Sequence, residues 1–285
     1  MTQRKIVHLL RLYHLYFTML SFLFLAMENH FEGKSAIITG TSSGIGYALA
    51  KEFALGGAKV FAAARSQDKL QALQEDVCSQ GGTLTAVPTD VSDPSDVHRL
   101  FAAVSEAECS PDIVVNNAAV GHNTEAHTMT AEQMKQVVAT NLLGTMYVTR
   151  EALQGMIERN KGHLVFLSSL AGKMAFPSLS VYSATKFGIE GFTESIREEL
   201  KGTNILITIA RPGVTDTNFF QTAGMEDFAH AMQGKMHSPD QVAGEIVKAI
   251  RKKRSEITIG SDRNFLLFLK HLPRSLARRL LPFFS

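Results

Sequence analysis

The chain has 285 residues, 45% hydrophobic and 20% charged, a balance that excludes a disordered polypeptide and suits one large α/β domain or two small ones. Its formal charge of +2 is uneven: residues 1–27 hold three basic residues and no acid, residues 251–285 hold nine basic against two acidic, and the body between them carries −8. An acidic body with basic, apolar ends argues against nucleic acid and toward an anionic membrane surface.

Residues 12–27 are rich in Leu and Phe and contain no Asp, Glu, Lys or Arg. As a helix these sixteen residues would measure about 24 Å, short of the ~30 Å hydrocarbon core. A signal anchor, a helix lying in the interface and an extension ahead of a start at Met27 all remain open. Leu25-Ala26-Met27-Glu28 is a poor cleavage site for a secreted chain. Residues 1–30 are therefore set apart as an N-terminal extension for which membrane association is favoured, with no full span claimed.

From residue 33 short apolar runs alternate with helical segments, the pattern of a parallel sheet covered by helices on both faces. Strands are expected at 35–39, 59–63, 84–88, 112–116, 163–168, 206–210 and 256–259, and helices at 45–55, 67–80, 94–107, 131–159, 181–201 and 239–253. Thr130 with Gln133 and Ser238 with Gln241 fit capping boxes, and Pro239 suits a first helical position. With no internal repeat and no dividing linker, one catalytic domain over residues 31–262 follows. It is expected as a doubly wound, Rossmann-like, seven-stranded parallel sheet in the order 3-2-1-4-5-6-7. Cys78 and Cys109 lack ligand spacing and read as reduced thiols; no metal site is expected.

The first strand runs into Thr39-Gly40-Thr41-Ser42-Ser43-Gly44-Ile45-Gly46 and then into a helix. Glycines let a backbone approach a pyrophosphate, and the N-terminal end of a helix offers it N–H groups and a positive dipole. The second strand ends at Ala62-Ala63-Ala64-Arg65-Ser66, without the acid that would hold ribose hydroxyls and repel a 2′-phosphate. Arg65 brings a guanidinium suited to that phosphate, so NADP(H) is expected over NAD(H), with Ser66 assisting or capping the next helix.

Further along, Ser169 precedes Tyr182-Ser183-Ala184-Thr185-Lys186 by thirteen residues. One helical turn separates phenol from ammonium, so both emerge on one face, and a nearby cation favours the phenolate. The connection at 214–237 carries Phe219, Phe220, Met225, Phe228, Met232 and Met236, which suits an apolar lid or ordinary helix packing. Residues 174–177 and 120–122 are further candidate pocket walls. Residues 263–285 interleave Phe and Leu with Lys270, Arg274, Arg278 and Arg279, a basic amphipathic extension fitted to a membrane interface, an oligomer contact or the pocket mouth.

Together these residues resemble the short-chain dehydrogenase/reductase family over residues 32–259. Asp90-Val91 after the third strand, Asn116-Asn117-Ala118-Ala119 after the fourth, Asn141 in the long helix, and Pro212-Gly213 followed by Thr217 complete the likeness. The resemblance implies a catalytic set of Asn141, Ser169, Tyr182 and Lys186. It implies a cofactor set of Gly40, Ser42, Ser43, Gly44, Ile45, Gly46, Arg65, Ser66, Asp90, Val91, Asn117, Ala118, Tyr182, Lys186, Pro212, Gly213 and Thr217. Tyr182 would be the general acid in reduction, Lys186 would bind the nicotinamide ribose and lower the tyrosine pKa, and Ser169 would bond the substrate carbonyl. Asn141 would hold a water in a proton relay, Asp90 would meet adenine, Asn117 would brace the sheet and Thr217 would touch the nicotinamide amide. Ala119 stands where the family has glycine, so its loop is expected to sit slightly differently.

The implied function is an NADP(H)-dependent oxidoreductase interconverting a carbonyl and an alcohol on a lipophilic substrate such as a steroid, retinoid or lipid. The alternatives are a soluble 3-oxoacyl thioester reductase and a non-catalytic NADP-binding scaffold or sensor. A homo-oligomer, dimer or tetramer, is expected, either membrane-associated or cytoplasmic.

Overall fold

The computed structural model describes residues 30–231 and 236–260. The two expected extensions, Met232 and the side chain of Phe228 lie outside the described residues. Seven parallel strands form one sheet: β1 (Ser35–Thr39), β2 (Lys59–Ala64), β3 (Thr83–Pro88), β4 (Ile113–Asn116), β5 (Gly162–Leu167), β6 (Ile205–Pro212) and β7 (Glu256–Ile259). They are ordered β3-β2-β1-β4-β5-β6-β7, as the sequence pattern predicts. No helix among the described residues is long and apolar enough to cross a membrane.

Strand alternation sorts the core into two layers. On one face Ile38, Val60, Ala62, Val115 and Val165 pack against α1 (Gly44–Leu55), α2 (Gln67–Ser79) and α9 (Pro239–Arg251) through Phe53, Leu73 and Ile246. On the other, Ile37, Phe61, Val114, Leu164 and Phe166 meet α3 (Pro94–Glu106), α5 (Gly144–Glu158) and α6 (Ser180–Glu199) through Leu100, Val148 and Ile189. Burial on both faces explains why β1, β4 and β5 read as unbroken apolar runs rather than alternating ones.

Helix starts follow their local signals. Both predicted capping boxes form, at α4 (Ala131–Val138) from Thr130 and Gln133, and at α9 from Ser238 and Gln241. The helix expected across 131–159 is interrupted: α4 passes through a π turn, Ala139–Leu143, before α5 continues. A π turn inserts a residue into the helical ladder, which periodicity does not reveal, and here it carries Asn141. The connection after β6 holds two short helices, α7 (Phe219–Thr222) and α8 (Glu226–Ala231). Its ends are pinned together, since Asp216 N donates to His237 O at 2.9 Å and His237 N donates to Val214 O at 3.0 Å.

One buried polar contact makes stability depend on pH. Thr208 Oγ1 donates to Arg254 O at 2.6 Å, so His163 Nε2, 2.8 Å away, must be the donor in their bond. Burial, helped by Lys253, pushes His163 down from 6.5 to about 4. Between those values the unfolded chain binds a proton that the folded chain refuses. Stability is therefore full above pH 6.5 and falls as the pH drops through the window, by about 3 kcal/mol in total. Urea unfolding of wild type and His163→Gln at pH 7 and 4.5 checks this: the variant should lose most of the difference between the two pH values.

Candidate active site

The carboxyl ends of the strands open into a cleft of about 1180 Å³. This is where a doubly wound sheet parts its loops, because the crossovers from β1 and β4 leave toward opposite faces.

The glycine turn forms its floor. Gly40 has φ +72°, a left-handed backbone that a side chain disfavours. A Cβ on Gly46 would lie 2.2 Å from Gly40 O, so this turn tolerates no side chain. Ser43, at the N-cap of α1, makes no side-chain bond back to the first turn. The turn thus offers a close-approach backbone and a helix N-terminus that no side chain caps, which fits a pyrophosphate. Asn117 Nδ2 donates to Thr39 O at 2.8 Å and to Gly40 O at 3.2 Å, tying β4 to the turn. Asp90 Oδ1 accepts from Ser92 N at 2.9 Å and Ser92 Oγ at 2.6 Å, which fixes the carboxylate at the cleft wall after β3. Ala119 has no positive φ, so alanine costs nothing at a position where glycine had been expected to matter.

Of the catalytic and cofactor candidates, all but Asn141 line the cleft; of the expected pocket walls, Val120, Phe176 and Pro177 line it and Gly121, His122, Met174 and Ala175 do not. Asn141 is fully buried behind it. Its Oδ1 accepts from Val120 N at 2.8 Å, and its Nδ2 donates to Val120 O at 2.9 Å and Thr185 Oγ1 at 3.2 Å. The amide therefore braces the loop after β4 against α6.

The remaining three catalytic candidates converge. Ser169 caps a 3-10 turn, Leu170–Gly172, and accepts from Ala171 N at 3.1 Å. Lys186 is buried and donates to Leu167 O at 2.8 Å, with its Nζ 5.6 Å from the centroid of the Tyr182 ring. Desolvation pushes the Tyr182 phenol up to about 12, against the pull of its hydrogen bond with Ser169. It also pushes Lys186 down to about 8, with Glu190 resisting. The Lys186 ammonium bonds a main-chain carbonyl and stands 5.6 Å from the ring centroid, while burial is the largest influence on the phenol.

One residue was missed from sequence, and one expected lid residue finds its place. Lys69 lines the cleft beside Arg65, so two cations stand at its far end, four residues apart across the start of α2. Phe219 folds over the chemistry, its ring 5.3 Å from that of Tyr182. A Cβ on Gly121 would come 2.6 Å from Phe219 Cζ, so Gly121 is what lets the ring settle there. Thr217 crosses to the glycine turn, with its Cγ2 where a Cβ of Gly44 would point.

Comparison with known proteins agrees with this geometry. Residues 34–227 match the short chain dehydrogenase family. The chain belongs to the short-chain dehydrogenase family. Members of this family are oxidoreductases that bind a nicotinamide nucleotide. Among curated proteins, this short-chain dehydrogenase is similar to a dehydrogenase/reductase SDR family protein 7-like of Anopheles gambiae. They are 32% identical over 242 residues, covering 81% of the chain and 76% of the relative. It is also 33% identical to a ketoacyl reductase of Nostoc over 231 residues, covering 81% of the chain and 79% of the relative. Among solved structures it resembles a short-chain dehydrogenase from Burkholderia phymatum in complex with NAD. There the TM-score is 0.76 and the identity 25%, with 80% of this chain and 89% of that one covered.

Proposed function

We propose that this short-chain dehydrogenase is an NADP(H)-dependent enzyme that interconverts a carbonyl and an alcohol on a lipophilic substrate at a membrane surface. The observation that carries the reading is one continuous cleft with Arg65 and Lys69 at one end and Ser169, Tyr182 and Lys186 at the other, beneath Phe219, Phe220 and Met225.

Bound NADPH supplies a hydride to the carbonyl carbon. The rest falls to the chain. Ser169 and Tyr182 present hydroxyls to the carbonyl oxygen, where negative charge grows. Tyr182 gives up its proton there, and Lys186, cationic below about pH 8, stabilises the phenolate left behind. Asn141 keeps the wall of the cleft in register with α6. Phe219, Phe220, Phe176 and Met225 cover the reacting end with apolar surface, which excludes water and offers an acidic substrate no anchor. Val138, Leu143 and Phe187, apolar and exposed, are what a second copy would cover in a dimer or tetramer. The basic, apolar termini support the membrane surface, and the full chain should float with anionic vesicles and release at high salt.

The relative from Burkholderia phymatum holds NAD, so the preference for a 2′-phosphate rests on Arg65 and Lys69. Fluorescence titration of Arg65→Ala should show NADPH weakened at least tenfold and NADH little changed; equal losses would remove the phosphate from the assignment. The ketoacyl reductase of Nostoc favours a second reading, reduction of a 3-oxoacyl thioester. Following NADPH oxidation against steroids, retinoids and 3-oxoacyl thioesters separates the two. Turnover confined to the thioesters would replace the lipophilic reading, and binding without any turnover would favour a sensor.

A further inference from the structure

Glu190 lies one turn beyond Lys186 on α6, and its carboxylate gathers three segments that each carry part of the site. Arg211, at the end of β6 just before Pro212-Gly213, grips it fork to fork: Nε donates to Oε1 at 2.8 Å and Nη2 to Oε2 at 2.7 Å. Lys173, immediately after the turn that Ser169 caps, places its Nζ 2.9 Å from Oε2. Arg211 Nη1 also donates to Glu256 Oε2 on β7 at 2.9 Å. The side chains of Arg211 and Glu190 are only 8% and 11% exposed, so their pair is buried, with the more exposed Lys173 and Glu256 at its edges.

Such a network is an expensive way to stabilise a fold. Two desolvated ions often bind no better than two apolar side chains of the same volume, while specific charge pairs do fix geometry. Here the neighbouring strands are held by main-chain bonds, and the charges stand where three site-bearing segments meet. We propose that Glu190, clamped by Arg211 and Lys173, is a positioning residue that locks α6, and with it Lys186 one turn before, to the Ser169 turn and the Pro212-Gly213 end of β6.

The proposal rests on Lys186 acting at the site as described above. The charged and titratable groups facing Lys186 are Tyr182 and Glu190 on its own helix, with Lys173 on the turn, Arg211 on β6 and Glu256 on β7 behind Glu190. On α4, which also packs on α6, Glu132 and Lys135 are exposed. Desolvation would raise the Glu190 carboxyl, but Arg211 and Lys173 hold it below its ordinary value, so it stays an anion. Glu190 is the group that lifts Lys186 against its own desolvation.

The test is an NMR titration of lysine side-chain resonances in the full chain, with Lys186 assigned from Lys186→Met. It needs no turnover, so it can succeed even if no substrate is ever found. In Glu190→Gln the Lys186 midpoint should move below its wild-type position by roughly one pH unit. That variant leaves Arg211 without its partner and should also melt early. The double variant Glu190→Gln/Arg211→Met removes the orphaned charge: its thermal midpoint should recover while the Lys186 midpoint stays low. If the midpoint is unmoved in both variants, or returns to wild type in the double variant, Glu190 does not act on Lys186 and the proposal fails.

Discussion

Replacing Tyr182 with Phe should lower kcat about a thousandfold while leaving nucleotide binding and thermal stability near wild type. The ring keeps its neighbours, since the Phe219 ring lies 5.3 Å away and the Lys186 ammonium 5.6 Å from the centroid. Only the hydroxyl is lost, and the hydroxyl holds the proton. With burial pushing the phenol up to about 12, it holds its proton near neutral pH, and charge growing on the substrate oxygen is what draws the proton off. Single-turnover measurement with NADPH and any active carbonyl from the panel checks the result. A Phe variant with wild-type kcat would remove Tyr182 from the chemistry.

Gly46→Ala should cost about 3 kcal/mol and weaken nucleotide binding at least tenfold. The added methyl would fall 2.2 Å from Gly40 O and 2.4 Å from Asn117 Nδ2. Neither can step aside cheaply: the first is main chain in the glycine turn, and the second is held by Thr39 O at 2.8 Å and Gly40 O at 3.2 Å. Relieving the overlap moves the turn against which a pyrophosphate would lie. Gly191→Ala is the matched control, because nothing lies within 4 Å of its Cβ and it sits inside α6. It should raise stability by about 0.5–1 kcal/mol. Thermal melts and nucleotide titration of the two variants side by side provide the check, and equal behaviour would mean that the Gly46 environment yields more than its geometry suggests.

Much of this site was legible in one dimension. A glycine turn placed between a strand and a helix, an arginine at the end of the second strand, and a phenol and ammonium one turn apart are local patterns, and local patterns survive without coordinates. Lys69 shows where legibility ends. It reads as an ordinary lysine in the first turn of a helix until the sheet places it beside Arg65 at the cleft. Asn141 shows the converse: the residue was visible, but the π turn that carries it and its grip on Val120 were not. An inserted residue leaves apolar spacing nearly unchanged, and Val120 is 21 positions away.

By itself the sequence determined the spans of the strands and of most helices, the capping boxes, and the glycine-turn, Arg65 and Tyr182–Lys186 patterns at the cleft. These follow from periodicity, turn chemistry and short spacings, all set within a few residues. Tertiary structure alone decided that Phe219 covers Tyr182 with Gly121 making room for it, that the Lys186 ammonium is desolvated against the Leu167 carbonyl, and that Glu190 and Arg211 meet. Each of these depends on desolvation or on contacts between residues far apart in the chain. Neither exists until the sheet has brought its loops to one end.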